Sequence, residues 1–451
     1  MTHNSYHIKS MEKEKNNIEN INKSIKDNIR DFFDKNEKNC LKQLYKAENK
    51  NIGEIYKSIP NNEIERQFKD ANVLILTANK YETNILHQNI VGNRKIKKVE
   101  INYFNSRYYF YFFSWGKYKV AHIMANSTGS NTIDGSEDMI RLAFQYTLFK
   151  PLAIISFGIC FGINHKNQRL GDVIISEKVY SYGEGLKIKD DKLEIIDNNN
   201  FTLMESLRQS MRNLINLNVI SEQEGEYFGN YITGEAVMSN EKFKQDIVKS
   251  VTTNKILAGE MEGYGIFKEC LRYGRNGDGQ QKVPCIIIKA ICDWGAQKNG
   301  FLNTLNIKSE LQDNIFYDSN CDVKSYQEVV RNYYSINNMP FLDDIRMDEV
   351  EAIIKNSIQA YASNKAYLTC NKLFQHKSYF FGKPVKKKII EGLIQYKKNN
   401  LSIYGETLRK IMGDVNEEEY YILLKELLDD NKIFCINENE NPDEVLYKIN
   451  F

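Results

Sequence analysis

The sequence predicts an α/β layered domain with a mostly parallel sheet, set between a helical N-terminal segment and a small helix-and-hairpin module. Three observations predict it. Apolar runs recur at 71–78, 108–113, 118–124, 152–157, 172–179, 231–238 and 285–291, several of them apolar throughout, as strands covered on both faces are. Helical spacing fills the gaps between these runs, as in Ile140, Ala143, Phe144 and Thr147. The pattern also changes character at both ends of this stretch, near residue 70 and near residue 376.

Residues 1–70 are mainly charged and amide side chains, with Ile25, Ile29, Phe32 and Phe33, then Leu41, Leu44 and Tyr45, at helical intervals. They read as a short helical appendage. ANVLILTA (71–78) is a strand leading into a helix over 81–90. Further helices are expected over 134–149, 201–217, 241–250 and 260–273. The stretch 298–345 is polar and irregular and reads as an insertion or lid, and a long helix over 348–374 closes the domain at about 376. The pattern then restarts with helices over 385–398, 405–412 and 417–428 and two strand-like runs, KIFCIN and VLYKINF. Three helices and a hairpin suggest a winged-helix-like module over 377–451. The expected division is therefore 1–70, 71–376 and 377–451.

Composition removes several classes. With 61 Lys and Arg against 59 Asp and Glu, the chain lacks the one-sided field of a dedicated nucleic-acid or membrane-surface binder. Its eight cysteines show no CxxC and no Cys/His cluster at zinc spacing. No secretory h-region or membrane-length apolar run is present, so a cytoplasmic protein with no bound metal or cofactor is expected.

Four segments carry chemistry. LAGEMEGYGIFKEC (257–270) sets Glu260 and Glu262 around Met261 where a strand meets a helix. A carboxylate there can accept hydrogen bonds from the vicinal hydroxyls of a ribose, and a thioether can pack on the sugar face. Acids at a helix start also simply complement its dipole. CIIIKAICDWGAQ (285–297) delivers Asp293 at the end of an apolar strand, placed to protonate a purine leaving group or merely to cap the turn. ILTANKYETNIL (75–86) brings Glu82 past a strand exit, where a base could activate water. KPLAIISFGICFGINHKNQRLGDVIIS (150–176) ends a strand in Gly158 and Gly162, whose glycines allow close backbone approach to a ligand. His165, Lys166 and Arg169 in the loop that follows could meet a 5′-phosphate or lie solvated.

Together, and in this order, the segments resemble the superfamily of purine nucleoside phosphorylases and methylthioadenosine/S-adenosylhomocysteine nucleosidases. The resemblance covers about 71–376: the strand before Glu82, Gly129 in NSTGSN, GICFG, LGDVIIS, TGEAVMS, AGEMEG and KAICDWG. It implies a three-layer α/β/α nucleoside phosphorylase-like core with a mixed central sheet, often assembled as a homo-oligomer. It also implies roles: Glu262 on the ribose hydroxyls, Met261 on the sugar, Glu260 ordering the site, Asp293 at the base and Glu82 activating water. Val237 and Met238 would line the base pocket.

Two departures bear on the reaction. Phosphate-site arginines are replaced at places corresponding to Glu82 and Ser156, which favours water over phosphate. Ile159 stands where the nucleosidases carry serine, and Val237 replaces a pocket aromatic, which changes the substrate pocket. The expected reaction is hydrolysis of the N-glycosidic bond of a purine, preferably adenine, nucleoside or nucleotide. The alternatives are a phosphate-dependent phosphorylase and an inactive nucleoside-sensing regulator. The extra module resembles variants fused to signalling or antiviral defence domains. Its third helix, NEEEYYILLKELLDDN, is acidic at both ends, which favours a protein partner over nucleic acid, although KPVKKK (383–388) is basic.

Overall fold

A computed structural model describes residues 2–48, 50–92, 95–103, 106–127, 129, 134–146, 151–182, 186–189, 192–195, 200–234, 241–251, 255–274, 283–295, 335, 347–378, 380–382, 389, 392–393, 396–397, 402–412, 417–429, 432–437 and 445–449. Its helices are α1 (Thr2–Ala47), α2 (Ile64–Asp70), α3 (Lys80–Ile90), α4 (Ser136–Phe144), α5 (Glu205–Asn216), α6 (Glu241–Ser250), α7 (Gly263–Gly274), α8 (Met347–Gln375), α9 (Gly405–Met412) and α10 (Glu417–Asp429). The strands are β1 (Tyr56–Ser58), β2 (Val73–Thr77), β3 (Ile96–Tyr103), β4 (Ser106–Trp115), β5 (Tyr118–Met124), β6 (Ala153–Gly162), β7 (Val173–Ser181), β8 (Leu186–Lys189), β9 (Lys192–Ile195), β10 (Asn200–Thr202), β11 (Glu226–Thr233), β12 (Ile256–Glu260), β13 (Cys285–Asp293), β14 (Ser402–Tyr404), β15 (Ile433–Cys435) and β16 (Leu446–Ile449).

The central sheet runs β1-β3-β4-β5-β2-β6-β12-β11-β7-β10, and β13 pairs with both β6 and β7. Strands β6, β12, β11, β7 and β13 therefore close a ring. Its pairings are mixed: β13 is parallel to β6 and antiparallel to β7, and β12 is antiparallel to β6. The composition of these strands explains their place. VLILT in β2 is buried at every position, and β6 and β13 are buried along nearly their whole length, as a sheet covered on both faces requires.

Two large apolar clusters cover the sheet. One joins Leu74, Ile154, Ile287 and Ile291 with Ile266 and Phe267 of α7. The other joins Ile75, Ile155, Ile286 and Ile288 with Ala362, Ala366, Leu373 and Phe374 of α8. Helix α1 is far longer than the short appendage expected. Its buried face, Ile25, Ile29, Phe33, Cys40, Leu41 and Leu44, packs on the core because those positions recur at helical intervals. Asn28 also donates to the His165 carbonyl at 3.2 Å, and Ser24 Oγ lies 3.1 Å from His165 Nε2.

Beyond α8, helices α9 and α10 pack with a three-stranded antiparallel sheet, β14-β16-β15, around their own apolar cluster of Leu408, Tyr420, Leu423, Ile433 and Tyr447. The strand β14, SIY, adds to the expected hairpin. The expected helix over 385–398 falls largely outside the described residues, as do most of 298–345 and the KPVKKK run. Among the described residues no helix is long and apolar enough to cross a membrane.

Candidate active site

The site assembles where β2, β6, β12 and β13 end. Glu82 and Glu260 come from the exits of β2 and β12, and Gly158, Ile159 and Lys289 from within β6 and β13. After β2, the turn through Ala78 and Asn79 starts α3 with a capping box, in which the Asn79 side chain accepts from Tyr81 and Glu82 N–H. The Glu82 carboxylate returns to the turn: Oε2 accepts from Ala78 N at 2.6 Å and Asn79 N at 3.1 Å, and Oε1 accepts from Ile159 N at 2.9 Å. Gly158 makes this approach possible. Its φ is +147°, and a Cβ there would stand 2.1 Å from Glu82 Oε1. Ionised Glu82 has about four acceptor positions; among the described residues three are filled by backbone N–H groups, one of them on Oε1.

Glu82 is 1% exposed, and burial pushes its carboxyl up to about 7 despite the opposing pull of Lys289.

At the end of β12, Glu260 turns its carboxylate onto the first N–H groups of α7. Its Oε2 accepts from Glu262 N at 3.0 Å and Gly263 N at 2.9 Å. This satisfies donors that a helix start leaves open. Glu262 follows two residues later and is buried. Its carboxyl takes backbone N–H bonds from Gly129 and Met261, and its own carbonyl accepts from Ser136 Oγ at 2.6 Å. Met261 lies half-buried between the two glutamates.

Lys289 binds these acids together. It was not singled out by the sequence. It sits in the middle of β13, opposite Gly158 of β6, and is 1% exposed. Its Nζ lies 3.0 Å from Glu260 Oε2 and 2.6 Å from Glu262 Oε2. Burial works against its charge, yet Glu262, Glu260 and Glu82 hold its pKa well above the ordinary lysine range. Reciprocally, burial would raise the Glu262 carboxyl, but Lys289 outweighs it and holds it below the usual range. The one available signal was a lone lysine inside CIIIKAIC, since a cation in a strand buried on both faces must meet carboxylates.

Asp293 ends the same strand, four residues beyond Lys289. Its Oδ1 accepts from Gly295 N at 2.7 Å, so the turn-capping bond does form, and the Cys292 thiol donates to Oδ2 at 3.5 Å. Lys289, Asp293 and Glu260 all act electrostatically on the Cys160 thiol of β6, and Asp293 stands opposite Phe161 where Lys289 stands opposite Gly158. Trp294, next in sequence, is buried, and its carbonyl accepts from Lys244 Nζ at 2.7 Å.

The structure therefore brings together Glu82, Gly158, Ile159, Gly129, Glu260, Met261 and Glu262, while Asp293 lies at the end of the strand that carries Lys289. Val237 and Met238 lie outside the described residues. Arg169 is not brought to the centre. It lines a separate polar cavity of about 830 Å³ between α1, the 167–172 loop, the 222–227 turn and α8, and its backbone N–H is held by Asp172 Oδ2 at 2.8 Å. Among the described residues no group of His, Cys, Asp and Glu side chains could hold a metal ion.

The frame is a ring-closed mixed α/β sheet with carboxylates gathered at its strand exits. The family model of the phosphorylase superfamily matches residues 72–315, more than half of the chain, and the protein belongs to that superfamily. It is similar to a death domain-containing ATP nucleosidase of Amphimedon queenslandica, 28% identical over 32% of this chain and 29% of that protein. It is also similar to the ATP nucleosidase Cap17 of Escherichia coli, 26% identical over 39% of this chain and 37% of that one. The chain thus matches about a third of the length of these curated relatives. Among solved structures, the 5′-methylthioadenosine/S-adenosylhomocysteine nucleosidase of Neisseria meningitidis is 15% identical, with 52% of this chain and 90% of that one covered at a TM-score of 0.39.

Proposed function

We propose that this protein hydrolyses the N-glycosidic bond of an adenine nucleoside or nucleotide. One observation carries the reading: the buried Glu82 carboxylate, held by the Ala78, Asn79 and Ile159 N–H groups, shares one centre with Glu262 and its Lys289 ion pair. Water donates to the Glu82 carboxylate and passes its proton there as it attacks the anomeric carbon. Glu262 accepts from the ribose hydroxyls, and Met261 packs on the sugar. Asp293 supplies a hydrogen bond or proton to the leaving purine. Three carboxylates against one ammonium leave the centre negative, which suits the cationic sugar of an oxocarbenium-like transition state.

The names of the two curated relatives support ATP as the first substrate to try. Nucleotide depletion in antiviral defence, assembly as a homo-oligomer, and a protein partner for the C-terminal module belong to the same reading. The test is chromatographic detection of free base from ATP, AMP, adenosine and methylthioadenosine, with and without phosphate. Wild type is expected to release adenine without phosphate, with activity rising as pH passes about 7 and Glu82 ionises. Asp293→Asn and Glu82→Gln are expected to lose roughly 10²–10⁴-fold in kcat. Equal release by wild type and Asp293→Asn would refute the acid assignment.

A further inference from the structure

A chain of hydrogen bonds, buried beyond its half-buried Tyr56 end, runs behind Glu82. Tyr56 Oη lies 2.9 Å from His87 Nδ1, and His87 Nε2 lies 3.0 Å from His122 Nδ1. His122 Nε2 is 3.0 Å from Thr77 Oγ1, which is 2.6 Å from Thr83 Oγ1. Thr77, His87 and His122 have no exposed surface, and Thr83 is 4% exposed. The rings of Tyr111 and Phe113 enclose His87.

Burial pushes both imidazoles down, His122 to about 3, so both rings are neutral. A neutral ring offers one donor and one acceptor. The run from Tyr56 to Thr77 is therefore satisfied only when its members point the same way: Tyr56 donates to His87, His87 to His122 and His122 to Thr77, with the Thr77–Thr83 bond then formed in either sense, or all are reversed with Thr83 donating to Thr77.

The positions of these groups matter more than their number. Thr77 is the last residue of β2, and the next two residues, Ala78 and Asn79, donate their N–H groups to Glu82. Thr83 directly follows Glu82 on α3. The Thr77–Thr83 bond thus spans the turn that holds Glu82. His87 lies on the same face of α3 as Thr83, four residues on. Through His122 of β5 it ties that face to the strand beside β2, with Ile75 opposite His122. Apolar packing alone would press α3 onto the sheet; directional hydrogen bonds also fix its rotation and its height along the strand.

We infer that Thr77 and Thr83, braced by His122 and His87, are positioning residues that set the Glu82 carboxylate against the Ala78, Asn79 and Ile159 N–H groups. The inference rests on Glu82 as the water-activating base. Thr77→Val keeps the shape and removes the hydroxyl; Thr77→Ser keeps the hydroxyl. Thr77→Val is expected to fold and to lose about 10²-fold in kcat, the scale of a small misplacement at a reacting centre, with KM changed by less than about twofold. Loosened N–H donors disfavour the carboxylate, so the acid limb of the pH–kcat profile is expected to move to higher pH. Thr77→Ser is expected to restore both.

Infrared titration of the Glu82 carboxyl, assigned by its loss in Glu82→Gln, reads the same shift without turnover. If Thr77→Val does not fold, Thr83→Val breaks the same bond from the helix side and is read identically. An unchanged Glu82 titration and kcat in the valine variants, or equal losses for Thr77→Val and Thr77→Ser, would overturn the inference. Wild type that releases no base, with Glu82 still shifted by Thr77→Val, would instead remove the nucleosidase reading and keep the positioning.

Discussion

Replacing Lys289 with Met removes the cation from the centre while filling most of its volume, and the effect divides by pH. In the wild type, Lys289 Nζ stands 3.0 Å from Glu260 and 2.6 Å from Glu262, with all three side chains at most 7% exposed. Removing one partner of such a buried group costs about 3–5 kcal/mol, a large share of the roughly 5–15 kcal/mol that holds a domain folded. The loss comes from carboxylates left without a counter-charge. Protonation relieves it.

The sign follows from linkage. Wild-type Glu262 has a depressed folded pKa, so its contribution is present above the ordinary carboxyl range and fades as pH falls. Without Lys289, the folded-state carboxyl values rise above the ordinary range, and the variant loses stability as pH increases through that window. The gap between wild type and Lys289→Met is therefore expected to widen between about pH 5 and about pH 8. Urea unfolding followed by far-UV circular dichroism at both values measures it. A deficit equal at both, or below about 1 kcal/mol at the higher pH, would refute the charge argument and leave Lys289 as packing.

Two further outcomes follow from the same geometry. Gly158→Ala combines a Cβ placed 2.1 Å from Glu82 Oε1 with a φ of +147°, so it is expected to cost about 1–3 kcal/mol in stability and to displace Glu82, lowering base release more than it lowers thermal stability; wild-type release would show that the Glu82–Ile159 contact is dispensable. The neutral histidine pair makes the fold acid-sensitive: the unfolded chain takes up protons below about 6.5 while His122 resists to about 3, so stability falls as pH drops through that interval. His122→Asn is expected to flatten this slope in unfolding titrations, and an unchanged slope would contradict neutral burial of the ring.

Much of the core was legible because its strands are apolar runs with small or acidic residues at their ends. The runs at 71–78, 152–157 and 285–291 became β2, β6 and β13 at the centre of the sheet, with β6 running five residues further than expected, to Gly162. Glu82, Glu260 and Glu262 could be read as neighbours because each follows a strand exit. β3 was missed: in IKKVEINY only Ile96 and Val99 are buried, three apart, so the two-residue alternation of a strand is broken. Lys289 was missed because its partners come from other segments. The Thr77–Thr83–His122–His87 chain was missed for the same reason, since hydrogen bonds among β2, α3 and β5 leave no spacing signature. Arg169, which the sequence left open between a 5′-phosphate contact and a solvated loop, lines a cavity beside α1.

The proposed nucleophile is water, activated by Glu82. Running the reaction in heavy-oxygen water in the presence of phosphate, and analysing the sugar product by mass spectrometry, tests this most directly. The account predicts heavy oxygen at the anomeric carbon of a free sugar or sugar phosphate ester, with no dependence on added phosphate. Accumulation of a sugar 1-phosphate carrying no heavy oxygen would contradict it.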